Sequence, residues 1–254
     1  MLAALWAATP ASAAPAWLPA TQLTGPFPFT NSLEVIAVDS DPAGDALAAW
    51  PQADGADQTL MVAFRPAGGG WGPPVAISTP GRKAGWPAVA FDAAGEATAV
   101  WMREDSPFPL RVHGVIQAAD LPAGGTWGAP VDLSAASVNA VGPRLAVDRG
   151  GDAAVVWEGG VGVDGTEGVI QATTRPAGGG WSAPADLADV LGSASVAIDE
   201  AGIATAVWSA SSAPPSSGIQ AASGPVGGTW SPPADVTQPG SEETQTGHRG
   251  RCRR

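Results

Sequence analysis

The residues best suited to chemistry in this chain are Arg82, Lys83 and Trp86, followed by Arg103, Phe108, Arg111 and His113. Guanidinium and imidazole groups hold anions through charge-assisted hydrogen bonds, and planar rings stack on sugars or accept cations. The cluster stands out because the chain has only 12 Lys and Arg against 24 Asp and Glu. It reads as a ligand-binding surface. The plainer alternative is that Arg103 and Arg111 pair with Glu104 and Asp105 on a solvated loop, while Trp86 packs against a neighbouring element.

A second motif is Asp39-Ser40-Asp41-Pro42-Ala43-Gly44-Asp45. Its alternating Asp39, Asp41 and Asp45 resemble the opening of an oxygen-ligand Ca²⁺ loop, in which carboxylates recur before a Gly. Ala43 stands where a third oxygen is needed, and no later Glu completes the set. An enlarged Asp-rich turn is the simpler reading, so no cofactor is expected.

Other constellations are missing from the sequence. His113 is the only His before the tail, Cys252 is the only Cys, and no Ser sits in a Gly-x-Ser-x-Gly elbow. Zinc ligands and a nucleophilic triad are therefore lacking. Glu104, Asp105, Glu158, Asp164 and Glu167 could supply the carboxylate pair that glycoside hydrolysis uses. A net charge of −12 argues against a nucleic-acid partner. No apolar run is long enough for a transmembrane segment.

The termini read as separate from the body. Residues 1–14 resemble a signal peptide ending in Ala11-Ser12-Ala13, although no basic residue precedes Arg65. Secretion is the expected localisation. Residues 238–254, with Arg249, Arg251, Arg253 and Arg254, read as a disordered tail.

The elements that must position the candidate residues come from a repeat. With 34 Gly and 25 Pro the chain cannot be mainly helical. An apolar-x-apolar-Asp segment, a Gly and an alternating run ending in Trp recur four times, ending at Trp50, Trp101, Trp157 and Trp208. The Asp residues are read as Asp39, Asp92, Asp148 and Asp199, spaced by 53, 56 and 51 positions. A second strand follows each, then a Pro-x-Gly-Gly-x-Trp turn to Trp71, Trp127, Trp181 or Trp230, then a short Pro-containing strand. Four short antiparallel strands per period of about 50 residues match one β-propeller blade.

The fold class is therefore all-β, with propeller repeats over 15–237 and blades near 34–78, 87–134, 143–188 and 194–237. Residues 17–24, opened by Trp17, form an extra strand. The array is either a closed ring or an open arc. The repeat Trp are expected to fill the wedges between blades, and the repeat Asp to cap turns. The loops that differ between copies gather on one face of the disc, and that face is the expected functional surface.

These Asp…Gly…Trp hairpins and Trp-x-x-Pro strands resemble the repeats of secreted bacterial propellers of the sialidase, or Asp-box, group. The Asp-box pattern Ser-x-Asp-x-Gly-x-Thr-Trp is not met, since Trp101 lies six residues beyond Gly95. A sialidase would also use a Tyr nucleophile, and this chain has no Tyr. The resulting expectation is a secreted, non-enzymatic module binding an extracellular glycan or protein. The alternatives are a glycoside-hydrolase-like carbohydrate-active enzyme or its inactive remnant, and a fragment of a larger propeller.

Overall fold

A computed structural model of the chain describes residues 20–25, 35–54, 57–105, 113–160, 167–211 and 217–237. Its strands fall into four antiparallel four-stranded sheets, each a simple meander. The first holds β1 (Ala37–Ser40), β2 (Ala46–Asp54), β3 (Asp57–Arg65) and β4 (Val75–Ala76). The second holds β5 (Lys83–Phe91), β6 (Ala97–Glu104), β7 (Gly114–Leu121) and β8 (Val131–Asp132). The third holds β9 (Ala140–Val147), β10 (Ala153–Gly159), β11 (Val169–Arg175) and β12 (Ala185–Ala188). The fourth holds β13 (Ala194–Ile198), β14 (Ile203–Ser211), β15 (Ser217–Pro225) and β16 (Ala234–Asp235).

The first strands of successive sheets pack side by side, β1 on β5, β5 on β9 and β9 on β13. The sheets thus radiate as propeller blades from a common inner edge. Among the described residues, no strand pair between the first and fourth blades makes an extensive contact.

The turns follow from the residue types. In the second to fourth blades Asp92, Asp148 and Asp199 each accept two backbone N–H groups through one carboxylate oxygen. Gly95, Gly151 and Gly202 close those turns with positive φ. In the first blade the capping residue is Asp41, which accepts from Gly44 and Asp45. The repeat there is two residues out of the phase expected from Asp39, because Ser40, not Val38, is the last residue of β1. Asp39 instead accepts the N–H of Phe91 in the next blade, at 2.8 Å.

The wedges are filled as expected. Trp101, Trp157 and Trp208 are fully buried in the three interfaces between blades. Each indole N–H donates to the Gln opposite it, Gln117, Gln171 or Gln220, at 3.0–3.3 Å. Each Gln amide then donates to Asp132, Asp186 or Asp235 on the outer strand, at 2.7–2.9 Å. One large ring is thereby buried without stranding its polar atom. In the first blade Met61 and Ala76 take the Gln and Asp positions, and the Trp50 indole nitrogen is buried without a partner.

Candidate functional site

The candidate cluster separates, its described cations falling into one group and Trp86 lying apart from them. Arg103 donates through Nε and Nη2 to Asp105 at 2.7 and 2.8 Å and through Nη1 to Asp132 at 2.8 Å. The hydrogen bond to Asp105 comes first among the causes that raise the guanidinium further above its already high range, with Asp132 adding to it. The same bond pulls the Asp105 carboxyl below the usual carboxylate range, assisted by the charges of Arg103, Arg82 and His113. Arg82 donates to the Asp105 backbone carbonyl at 3.1 Å. Lys83 lies opposite Glu104 in the β5–β6 register, and the His113 carbonyl accepts the Asp105 N–H. This group is an ion-pair network whose carboxylates already occupy its main cation. Phe108 and Arg111 lie outside the described residues.

The Asp-rich turn is likewise spent on the backbone. Asp41 caps its own turn, Asp45 accepts the Ala67 N–H at 2.6 Å, and Asp39 bonds the next blade. Among the described residues no three His, Cys, Asp or Glu side chains gather to hold a metal ion.

Trp86 is elsewhere. The first halves of β5 and β9, the start of β13 and Val35, two residues before β1, converge on the variable-loop side of the inner edge. There they line a cavity of about 240 Å³ with Val35, Trp86, Pro87, Gly142, Arg144, Glu158 and Ala194. The inner strands of the second and third blades carry the same irregularity here. Two residues of β5, Trp86 and Pro87, oppose the single Trp101, and Gly142 and Pro143 oppose Trp157. Such a bulge bends a strand end and re-aims its side chains.

In the third blade the bulge is opened by Gly142 at φ 65°, a conformation glycine adopts without strain. In the second blade Trp86 takes the same conformation at φ 52°, the one non-Gly residue at positive φ among those described. A bulky residue there costs on the order of 1–3 kcal/mol and persists where the surroundings impose it. The ring lies beside Gly142, where a Cβ would sit 3.7 Å from it. Its indole is half-buried and borders the cavity.

Glu158 follows Trp157 directly, a place held by Pro51, Met102 and Ser209 in the other blades. Half-burial raises its carboxyl pKa, and the nearby Arg144 charge opposes that shift only in part. Of the other acids expected on this face, Glu104 is buried opposite Lys83, Asp105 is ion-paired and Asp164 lies outside the described residues. Glu167 is exposed and does not line the cavity. The mouth therefore combines one aromatic ring, one exposed guanidinium and one carboxyl that holds its proton more tightly than usual. The sequence marks Trp86 as the odd Trp of the repeat. Arg144 escapes sequence reasoning, since it sits within an otherwise ordinary strand pattern.

No protein-family profile matches the chain, and no curated protein matches it in sequence. Solved structures do. An ulvan lyase bound to -[GlcA(1-4)Rha3S]- superposes with a TM-score of 0.60 at 7% identity, over 78% of this chain and 53% of the lyase. The polysaccharide lyase Uly1 gives 0.54 at 12% identity, over 83% of this chain and 50% of its own length. A protein of unknown function from Dyadobacter fermentans gives 0.51 at 16% identity, over 81% and 70%. The likeness is one of fold. This chain spans about half the length of the two lyases.

Proposed function

We propose that this is a carbohydrate-active propeller that takes a sugar unit of an extracellular polysaccharide into the cavity at the inner edge. Trp86 provides the stacking platform, Arg144 anchors hydroxyl or carboxylate groups, and Glu158 transfers a proton. The observation carrying this reading is Trp86 held at positive φ: its ring packs on the core between the second and third blades and still borders the cavity, and backbone strain of this kind clusters at ligand sites. The raised pKa of Glu158 suits an acid–base group. Propeller-fold neighbours that include polysaccharide lyases support a glycan as the ligand class.

A specific observation favours a second reading, glycan binding without turnover. Among the described residues, Glu158 is the only Asp or Glu lining the cavity, whereas glycoside hydrolysis uses two carboxylates. The test is a panel of neutral and uronate-bearing polysaccharides, scored by calorimetric binding and by release of reducing ends. Trp86→Ala is expected to weaken binding at least about tenfold, equivalent to about 1.4 kcal/mol. Glu158→Gln is expected to abolish turnover while leaving binding nearly intact. Binding unchanged by Trp86→Ala overturns the site. Binding without turnover in the unaltered protein selects the second reading.

A further inference from the structure

Each interface between neighbouring blades joins the same two halves. One half presents three apolar side chains from the second to fourth strands of a blade. In the second blade these are Val100, Ile116 and Leu133, at 0%, 0% and 6% exposure. In the third they are Val156, Ile170 and Leu187, with the same values. The matching residues of the fourth blade, Val207, Ile219 and Val236, are 37%, 39% and 62% exposed. The other half is the Trp-bearing face of the following blade. Val89, Leu145 and Val196 of its inner strand pack into the three internal cores. Their first-blade counterpart Val38 is 68% exposed.

The polar contacts divide in the same way. Arg175 of the third blade stacks on Trp181 and donates to the Asp120 carboxylate and the Thr98 hydroxyl of the blade before it. In the first blade Arg65 stacks on Trp71 at 5.7 Å, and its buried Nε has no hydrogen-bond partner. In the fourth blade Thr205 and Ser223 hold the places of Thr98 and Asp120 and bond each other at 2.8 Å. The two ends of the array thus carry the unmatched halves of one interface. One end offers an arginine, and the other offers the oxygen pair that an arginine takes inside the array.

We propose that a second copy of this chain docks head to tail, the fourth blade of one copy on the first blade of the other. Val207, Ile219 and Val236 then cover the exposed Val38 and take over from Leu23 as cover for Trp50, which is already only 6% exposed, and Arg65 reaches Thr205 and Ser223. Leu23 now packs against Trp50, in the place that Leu133 and Leu187 take inside the array. It fills one of the three apolar positions, and Val236 of the docking copy displaces it. The contact is heterologous, so its geometry sets whether copies close into a ring or continue as a chain.

The test is sedimentation and light scattering of the full chain over a concentration series, with melting curves as the folding control. Val38→Asp and Val236→Asp alter two exposed positions and are each expected to leave the protein folded and monomeric. Mixed together they are expected to form a one-to-one dimer, because Val38→Asp keeps a sound fourth blade and Val236→Asp a sound first blade. Arg65→Leu is expected to weaken self-association about tenfold. A monomer at every concentration overturns the proposal. So does an assembly untouched by both Asp substitutions, or two variants that stay monomeric when mixed.

Discussion

The third blade and the first share a strand plan and differ in how each satisfies its central tryptophan. In the third, the Trp157 indole, Gln171 and Asp186 form one hydrogen-bond relay across three strands, and the ring is fully buried. In the first, Met61 and Ala76 break that relay, and Trp50 keeps 6% exposure and a buried nitrogen with no partner. The interior blade has neighbours on both sides to exclude water, and the indole N–H at its centre is answered from within the sheet. The first blade has one full neighbour and leaves its central donor unpaired, whereas the third pairs its central donor and leaves unpaired only the indole nitrogen of Trp181, nearer its outer edge. The two blades thus resemble an interior and a boundary unit of a repeat array, although the same motif encodes both.

Four variants would break or sharpen that contrast. Trp157→Ala removes the largest fully buried side chain of the interface between the second and third blades. It is expected to cost about 3–5 kcal/mol in denaturant unfolding, whereas Trp50→Ala is expected to cost clearly less. Equal losses would show that the two blades are not energetically distinct. Gln171→Leu leaves the buried Trp157 N–H without an acceptor and is expected to cost about 1–3 kcal/mol. Installing Gln at Met61 together with Asp at Ala76 is expected to return about 1 kcal/mol to the first blade. A destabilised double variant would refute the relay as a source of stability.

The smallest effect concerns Glu158, the residue that separates the third blade's mouth from the others. Burial raises its folded pKa, so the folded protein keeps this proton to a higher pH than the unfolded chain does. Its contribution to stability is full below the ordinary glutamate range and is lost as pH rises through the raised value. Glu158→Gln should flatten that part of the stability profile, read as melting temperature against pH. A profile unchanged by the substitution would place the carboxyl in ordinary solvation.

The blade architecture was legible because its signals are local. Asp-x-x-Gly turns, Pro-x-Gly-Gly-x-Trp turns and alternating strands each specify structure within a few residues. The phase of the first copy was misread because Asp39 and Asp41 both fit the turn, and only the pairing of Ser40 with Ala46 decides between them. The basic cluster looked like a site because sequence proximity places Arg82, Trp86 and Arg103 together. Strand geometry sends them apart: Arg103 pairs along the outer strands, while the bulge aims Trp86 inward. Arg144 and Glu158 meet Trp86 only through packing of the second blade on the third, which no spacing within one repeat encodes.

The Trp–Gln–Asp relay has one more consequence, for assembly. Four similar hairpins on one chain invite strands of different copies to pair with each other, a characteristic failure of repeat proteins. A one-residue slip would turn Gln171 to the opposite face of the sheet and separate it from both Trp157 and Asp186. The relay thus acts as a proofreading lock that rewards correct alignment of three strands at once. The first blade lacks this lock, so the chain's mispairing should concentrate where β3 seeks its partners.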